Sequence, residues 1–165
     1  MRIKDCTILI VEDEFVAQEY LSQILHSFRV KEIFKASSAN EALEIVREQQ
    51  IDLVFMDINI EGAIDGIECS ALLNKEYFLP VIFTTAYADT NTINEAKEEN
   101  IFGYLVKPFQ ANSIEATLNV ALSTMEKINE LTKLKVASIN KEDRIDLGKD
   151  YVYHLKSKTL TFCNL

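Results

Sequence analysis

Short apolar segments alternate with helical patterns through the first part of the chain, and this alternation limits the fold more than any other feature of the sequence. The apolar segments are rich in β-branched and aromatic residues and have the length of buried strands. We predict strands at 6–11, 31–36, 53–57, 80–85 and 104–107, and helices at 15–28, 40–49, 66–76 and 91–100. Such alternation is typical of a parallel sheet with helices on both faces. The sequence therefore predicts a doubly wound α/β domain.

One predicted strand differs from the others. The segment KEIFKA at 31–36 alternates polar and apolar residues, whereas the other strands are almost continuously apolar. Continuous apolar strands are buried on both faces of a parallel sheet, but an alternating strand keeps one face in solvent. We therefore expect 31–36 at an edge of the sheet. The helix that follows is preceded by Ser38 and Glu41 at capping-box spacing, which marks a helix start.

Composition and charge exclude several classes of protein. Of 165 residues, 48% are hydrophobic and only 4 are Gly and 2 are Pro, so the chain is neither disordered nor collagen-like. The formal net charge of -9 argues against a general nucleic-acid-binding surface, because phosphate binding requires clustered Lys and Arg. We expect a soluble globular protein.

The N-terminus and the cysteines predict the compartment. The apolar run at 6–11 is too short, and too soon followed by acidic residues, to be a signal peptide or a membrane span. Cys6, Cys69 and Cys163 are odd in number and far apart, so we interpret them as buried free thiols. These features predict a cytoplasmic protein with no membrane partner.

Polar residues stand where the apolar strands end. Glu12 and Asp13 follow the first predicted strand, Asp57 and Thr85 end the third and fourth, and Lys107 ends the fifth. The carboxyl ends of parallel strands meet at one edge, where doubly wound folds bind ligands. Three carboxylates at that edge would repel one another unless a cation lies among them. Mg²⁺ is bound by such oxygen ligands, and the lysine and threonine could hold an anion beside it.

These residues also have structural interpretations. Glu12 and Asp13 could be acidic residues in the first turn of a helix, where the helix dipole favours them. Thr85 could be an ordinary strand or capping residue. The acidic pair alone would not indicate a site, but Asp57 at the end of another buried strand favours one.

Four segments, in order along the chain, match a known family. VEDE (11–14), MDINI (56–60), TTAYAD (84–89) and GYLVKPF (103–109) together resemble the receiver domain of two-component response regulators. The resemblance covers roughly residues 5–122. It implies a flavodoxin-like fold with a five-stranded sheet of order 2-1-3-4-5.

The resemblance also implies a reaction. Asp57 would be the phosphoacceptor, a nucleophile that takes a phosphoryl group from a phosphohistidine of a sensor histidine kinase. Asp13 and Asp57 would bind Mg²⁺ directly, together with the backbone carbonyl of Asn59. Glu12 would act on the metal mostly through water.

Three further residues would respond to the phosphoryl group. Lys107 would pair with one phosphoryl oxygen, and Thr85 would move to hydrogen-bond another. Tyr104 would then turn inward into the space that Thr85 leaves, although its position alone would be interpreted as that of a core residue. A nucleophile, a metal and a cation are what phosphoryl transfer requires.

Two loops depart from the family pattern. Glu61 stands near the place where many receivers have proline, in the loop that faces the kinase, so kinase docking could differ. Phe102 and Gly103 stand where OmpR-type receivers usually carry an acidic pair. They weaken the expectation of the OmpR-type dimer through helix four, strand five and helix five.

The last predicted helix of the receiver is unusually long. Its pattern starts at about 111 and continues past the usual end of a receiver, to about residue 137. Apolar residues recur along it at helical spacing: Leu118, Leu122, Met125, Ile128, Leu131 and Leu134. We weigh two interpretations equally. Either the first half packs on the sheet and the rest is a linker helix, or the stripe is a dimer seam or signalling helix.

The segment 143–165 alternates apolar and polar residues and predicts two or three short antiparallel strands. It resembles the small sheet that begins the winged-helix output domain of OmpR-type transcription factors. We expect that the sequence is a piece of a longer regulator, which would bind DNA only through a complete output domain. The predicted organisation is a receiver domain at 1–122, a helical extension and linker at 123–142, and the strand segment at 143–165.

The sequence thus favours a phosphorylation-controlled receiver, not an enzyme, that controls dimerisation or a transcriptional output domain. A homodimer would use the fourth or fifth helix or the C-terminal strands. One alternative is a haloacid-dehalogenase-type phosphatase, which also uses an Asp nucleophile and Mg²⁺. That class has a second Asp two residues after the nucleophile, where this chain has Asn59. The other alternative is an inactive receiver that serves as a dimerisation module.

Overall fold

The computed structural model describes residues 2–86 and 101–139 and the strand segments 145–146, 151–154 and 159–162, with side chains described up to residue 133. The chain divides into two compact units, Met1–Thr124 and Met125–Leu165. Each unit is considered by itself. The predicted helix at 91–100 and the thiol of Cys163 lie outside the described residues.

Over its described residues, the first unit alternates strands and helices as predicted, up to β4. After a 3-10 turn at Ile3–Asp5, its elements are β1 Thr7–Val11, α1 Phe15–Ser27, β2 Glu32–Ala36, α2 Ala39–Glu48, β3 Leu53–Asp57, α3 Gly66–Tyr77, β4 Val81–Thr85, β5 Ile101–Val106 and α4 Ala111–Ile139, which continues into the second unit. The strands form a five-stranded sheet of order β2-β1-β3-β4-β5 in which all neighbours are parallel. The predicted fold class and strand order are confirmed.

Burial explains the positions of the strands. Every residue of β1, β3 and β4 is buried, which is why their sequences are continuously apolar up to the polar residues at the end of β3 and β4. In β2 only Ala36 is buried, and β2 pairs with β1 alone. The alternating segment is therefore an edge strand, as predicted.

The fifth strand begins earlier than predicted. The sequence predicts 104–107, whereas β5 spans Ile101–Val106 and Lys107 follows it. Val81 pairs with Ile101 and Ile82 pairs with Gly103, so Phe102 is an extra residue in the register. Gly103 weakens the local strand signal because glycine has low β-propensity. Pairing with the buried strand β4 imposes the extended conformation instead.

Two of the helices, α2 and α3, begin at side-chain caps. The Ser38 hydroxyl accepts the N–H of Glu41 at the start of α2, as the capping-box spacing suggested. At α3, the Asp65 carboxylate accepts the N–H of Glu68, and the Glu68 carboxylate accepts the N–H of Asp65, which completes a reciprocal capping box. These caps satisfy N–H groups that have no partner within the helix. The bounds of the described helices agree with their predictions to within two residues.

Among the side chains described up to residue 133, the long helix α4 is buried in its first part and exposed further along. Ile114, Leu118, Ala121 and Leu122 are buried, whereas Ile128 and Leu131 are exposed. The helix ends at Ile139, close to the predicted residue 137. Its role in dimerisation stays a prediction. None of the helices within the described ranges combines the length and the apolar composition that crossing a bilayer requires.

The second unit contains the predicted antiparallel strands. They are β6 Ile145–Asp146, β7 Tyr151–His154 and β8 Thr159–Phe162, in the order β6-β7-β8. Tyr151 pairs with Phe162 and His154 with Thr159. The relation of this sheet to a winged-helix output domain stays a prediction.

Candidate functional site

The carboxyl ends of four parallel strands bring the predicted site residues to one edge of the sheet. Val11 in β1 is paired with Met56 in β3, so Glu12 and Asp13 leave β1 beside the end of β3 at Asp57. Asp57 is paired with Thr84. Thr85 is paired with Val106, the residue before Lys107. The topology alone therefore assembles residues that are far apart in sequence.

Three acids form a cluster at this edge. Glu12, Asp13 and Asp57 each contribute a carboxylate oxygen, and these oxygens lie within 4.8 Å of one another. Glu12 is 2% exposed and Asp57 is 5% exposed, whereas Asp13 is half-buried. Buried carboxylates at such distances repel one another strongly unless a cation balances them.

The balancing cation in the described structure is Lys107. Its ammonium nitrogen lies 2.6 Å from Oδ2 of Asp57 and 2.6 Å from Oε2 of Glu12. It donates hydrogen bonds to Oδ2 of Asp57 and, over 2.8 Å, to Oε1 of Glu12. Lys107 thus supplies a positive charge beside the acids, and the predicted divalent cation among them stays a prediction.

The pKa values of Glu12 and Lys107 reflect this environment. Burial raises the pKa of Glu12 to about 7, because burial disfavours the charged form and the hydrogen bond from Lys107 offsets only part of this effect. Burial by itself would lower the pKa of Lys107, but its hydrogen bonds to Asp57 and Glu12 together raise it. Lys107 is therefore charged at neutral pH, whereas Glu12 loses its proton near neutral pH.

The acid cluster fits a hard divalent cation. Carboxylate and carbonyl oxygens are the ligands that Mg²⁺ prefers, and it binds through few protein groups. Within the described residues, Oε2 of Glu12 is buried and accepts no hydrogen bond, although the lysine contacts it. A cation at the cluster would satisfy this oxygen directly or through water. The donor set is thus suited to Mg²⁺.

The loop after β3 is hydrogen-bonded to the cluster through its backbone. The N–H of Asn59 donates to Oδ1 of Asp57 over 3.2 Å. The N–H of Glu61 donates to Oδ2 of Asp13 over 2.9 Å. A proline at residue 61 could not make the second bond, because proline has no N–H. The departure of Glu61 from the family pattern therefore adds a contact to one of the acids.

Thr85 and Tyr104 lie near the same edge but take different positions. Thr85 is buried, and its carbonyl accepts the N–H of Lys107 over 2.8 Å. Tyr104 lies within β5, two residues before its end at Val106, and is paired with Phe83 in β4. The two rings stack with centroids 5.8 Å apart. Burial raises the pKa of Tyr104. The half-buried tyrosine thus packs against the core.

Sequence reasoning did not identify two residues that contact the site backbone. The side-chain amide of Gln18 donates to the carbonyl oxygens of Glu12 and Ala36, each over 2.9 Å. A Cβ atom on Gly66 would lie 1.8 Å from the carbonyl oxygen of Asp57. Two sequence signals could have identified them. Gln18 is a polar residue on the apolar face of the first helix, and Gly66 directly follows the N-cap residue Asp65.

Comparisons with known proteins show the family of this chain. The family model for the response regulator receiver domain matches residues 8–119. Sensory transduction protein LytR of Streptococcus agalactiae is 37% identical over 129 residues, which are 76% of this chain and 50% of that protein. Transcriptional regulatory protein ZraR of Escherichia coli is 34% identical over 135 residues, covering 79% of this chain. The chain spans half the length of LytR and 30% of ZraR.

Among solved structures, a signal receiver domain is also similar to this chain. The signal receiver domain of a modulated diguanylate cyclase from Desulfovibrio desulfuricans superposes with a TM-score of 0.68 at 32% identity, covering 74% of this chain and 97% of that domain. NtrX from Brucella abortus superposes with a TM-score of 0.73 at 26% identity over 79% of this chain and 29% of its own. The chain therefore belongs to the response regulator receiver domain family, the receivers of two-component systems.

Proposed function

We propose that Asp57 accepts a phosphoryl group from a phosphohistidine of a sensor histidine kinase. The observation that carries this proposal is the buried contact of 2.6 Å between Asp57 and Lys107 inside a cluster of acids. An aspartate that ends a buried strand is held rigidly, and its carboxylate oxygen can attack phosphorus in line. The P–N bond of the phosphohistidine breaks, and an acyl phosphate forms on the aspartate.

The neighbouring residues have roles that follow from their charges. Mg²⁺ would be held by Asp13, Asp57 and the carbonyl of Asn59, with Glu12 acting mostly through water, and it would offset negative charge on the phosphoryl oxygens. Lys107 already contacts Asp57, so it can pair with a phosphoryl oxygen on the same side chain. The protein supplies charge compensation and orientation rather than acid–base chemistry.

The switch involves Thr85 and Tyr104. After phosphorylation, the Thr85 hydroxyl moves to hydrogen-bond a phosphoryl oxygen, and the Tyr104 ring turns further inward. Thr85 is adjacent to the site through its backbone bond to Lys107, and Tyr104 is on the strand that Lys107 follows. A phosphoryl group can shift the conformation only if it interacts differently with the two states, and the threonine contact provides that difference.

The output is transcriptional control. The relative ZraR is a transcriptional regulatory protein, and the strands β6 to β8 form a small antiparallel sheet after the receiver. We assign this sheet to the start of an OmpR-type winged-helix output domain, through which DNA would be bound. Phosphorylation would control the output domain or a homodimer through the long helix or these strands. The protein would act in the cytoplasm, where the kinase presents its phosphohistidine.

Phosphorylation with a small donor tests the proposal. The protein is incubated with Mg²⁺ and acetyl phosphate, and its intact mass is recorded beside two variants. Asp57→Asn removes the nucleophile with little change in shape, and Asp5→Asn removes an exposed carboxylate that pairs with Arg2 near the N-terminus. We expect the wild type and Asp5→Asn to gain one phosphoryl group and Asp57→Asn to gain none.

The other outcomes separate the alternatives. Repeated hydrolysis of a phosphate ester such as p-nitrophenyl phosphate would indicate a phosphatase instead of a receiver. Equal phosphorylation of Asp57→Asn would place the phosphoacceptor elsewhere. No phosphoryl gain from acetyl phosphate or from a histidine kinase would leave an inactive receiver that serves as a dimerisation module.

A further inference from the structure

Gln18 is a polar residue on the buried face of α1. The buried residues of this helix are Gln18, Leu21, Ser22, Ile24 and Leu25, which recur at helical spacing. Gln18 is only 9% exposed, so its amide group must find partners inside the protein. A long polar side chain at this position therefore needs a structural or functional reason.

The partners of Gln18 are two backbone carbonyls at the functional edge of the sheet. Its Nε2 donates to the carbonyl of Glu12 and to the carbonyl of Ala36, each over 2.9 Å. A side-chain amide has two N–H groups, and both are used here. The Ala36 carbonyl also accepts the backbone N–H of Glu12 over 3.0 Å. One amide thus joins α1 to the last residue of β2 and to the residue that follows β1.

The residue held in this way is a member of the acid cluster. Glu12 receives the Gln18 bond on its backbone, and its side chain contacts Lys107. Asp13 is the next residue along the chain, so the direction of its carboxylate depends on the same short segment. A shift of this backbone would move two of the three clustered carboxylates relative to Asp57. In the described part of the chain the Gln18 amide donates to backbone carbonyls and not to the carboxylates themselves, so its effect must pass through the backbone.

We propose that Gln18 is a positioning residue for the acidic site, which fixes the backbone of Glu12 and thereby the cation-binding geometry of Glu12 and Asp13. The inference rests on the proposed Mg²⁺-dependent phosphoacceptor function. Groups that orient metal ligands typically change metal affinity when they are removed, even though they do not touch the metal. Loss of the two hydrogen bonds should therefore weaken Mg²⁺ binding more than it weakens the fold.

The test compares two buried polar residues of α1. Gln18→Met has nearly the same shape but cannot donate, whereas Ser22→Ala removes a buried hydroxyl that faces His26 and no residue of the site. Mg²⁺ affinity is measured by isothermal titration calorimetry, and thermal stability is measured by circular dichroism. We expect Gln18→Met to weaken Mg²⁺ binding on the order of tenfold, and Ser22→Ala to leave the affinity unchanged.

Kinetics add a readout that a general loss of stability would not reproduce. The rate of phosphorylation by acetyl phosphate is measured as a function of Mg²⁺ concentration. For Gln18→Met we expect a higher half-saturating Mg²⁺ concentration and a maximal rate close to that of the wild type. If Gln18→Met does not fold, Gln18→Asn is used, since it keeps the amide but is one methylene too short to reach both carbonyls.

Different results would count against the positioning role of Gln18 and against the proposed phosphoacceptor function. Unchanged Mg²⁺ affinity in a folded Gln18 variant, or an equal loss of affinity in Ser22→Ala, would overturn the positioning role. Absence of Mg²⁺ binding in the wild type would overturn it as well. Failure of the wild type to become phosphorylated, with Mg²⁺ binding weakened only by the Gln18 changes, would count against the proposed function and leave the positioning role supported.

Discussion

The ammonium nitrogen of Lys107 lies 2.6 Å from Oδ2 of Asp57, although 50 residues separate the two in sequence. The same ammonium contacts Glu12, 95 residues away. One cation that follows the fifth strand therefore joins acids from the ends of the first and third strands. Since both acids are buried, the balance of charge at this edge bears on stability as well as on the proposed phosphoryl transfer.

Replacing Lys107 should destabilise the protein in the absence of Mg²⁺. Lys107→Met leaves the buried carboxylates of Glu12 and Asp57 without their cation, and breaking a buried ion pair costs about 3–5 kcal/mol. Added Mg²⁺ should reduce this loss, because it would balance the same acids. Urea denaturation with and without Mg²⁺ measures the free energy of unfolding.

Lys35→Met is the matched control for that change. Lys35 pairs with Glu19 at 2.6 Å, but both side chains are about one third exposed. Exposed pairs contribute less than about 1 kcal/mol, so this variant should remain close to the wild type and insensitive to Mg²⁺. Equal losses in the two lysine variants would contradict the special cost of the buried pair.

The stability of the metal-free protein should fall as pH rises toward neutrality. The pKa of Glu12 is raised from 4.5 to about 7, so between these values the folded protein keeps a proton that the unfolded chain has released. The contribution of Glu12 to the free energy of unfolding is fully present below its pKa in the unfolded chain. It is lost as the pH rises through its pKa in the folded protein. Glu12→Gln removes this titration and should flatten the dependence, with higher stability near neutral pH.

Urea unfolding in the presence of a chelator, between about pH 5 and about pH 8, measures this dependence. Glu48→Gln, at an exposed position of α2, should retain the slope of the wild type. The same slope in Glu12→Gln would show that another group causes the dependence.

Gly66→Ala should disturb both stability and phosphorylation. The added Cβ would lie 1.8 Å from the carbonyl oxygen of Asp57, so α3 or the end of β3 must move. Overpacking of this kind costs about 1–3 kcal/mol or more. In Gly103→Ala the Cβ would meet Cγ2 of the Thr117 side chain at 2.7 Å, a group that can rotate away more easily than backbone.

Thermal unfolding and acetyl phosphate labelling distinguish the two glycine variants. Gly66→Ala should lose more stability than Gly103→Ala and should be phosphorylated more slowly. Similar stability and phosphorylation rates in both variants would mean that the close approach at Asp57 is easily relieved.

The thiols of Cys6 and Cys69 should resist alkylation in the folded protein. Both are buried, and burial raises the pKa of each to about 11. The reactive thiolate is therefore scarce at about pH 8. Iodoacetamide labelling followed by peptide mapping should show slow modification of these two cysteines in buffer and rapid modification in urea. Rapid labelling in buffer would indicate frequent local opening of the core.

The sequence predicted the fold because its signals are local and repeated. The continuously apolar segments around Ile10, Phe55 and Phe83 indicated buried strands, and each of these residues is fully buried. The polar alternation of 31–36 indicated the edge strand. Alternation of strand and helix then requires the carboxyl ends to share one edge, so Glu12, Asp57 and Lys107 could be placed together before any distance was known.

Other features depend on distances that no local pattern encodes. The start of β5 at Ile101 follows from pairing with β4. The bonds of Gln18 and the close approach of Gly66 to Asp57 follow from how α1 and α3 pack on the sheet. The shared contact of Lys107 with Asp57 and Glu12 depends on the register of three strands. Periodicity determines which face of each element is buried, whereas packing and register determine which atoms meet, because contact distances are set jointly by residues far apart in the chain.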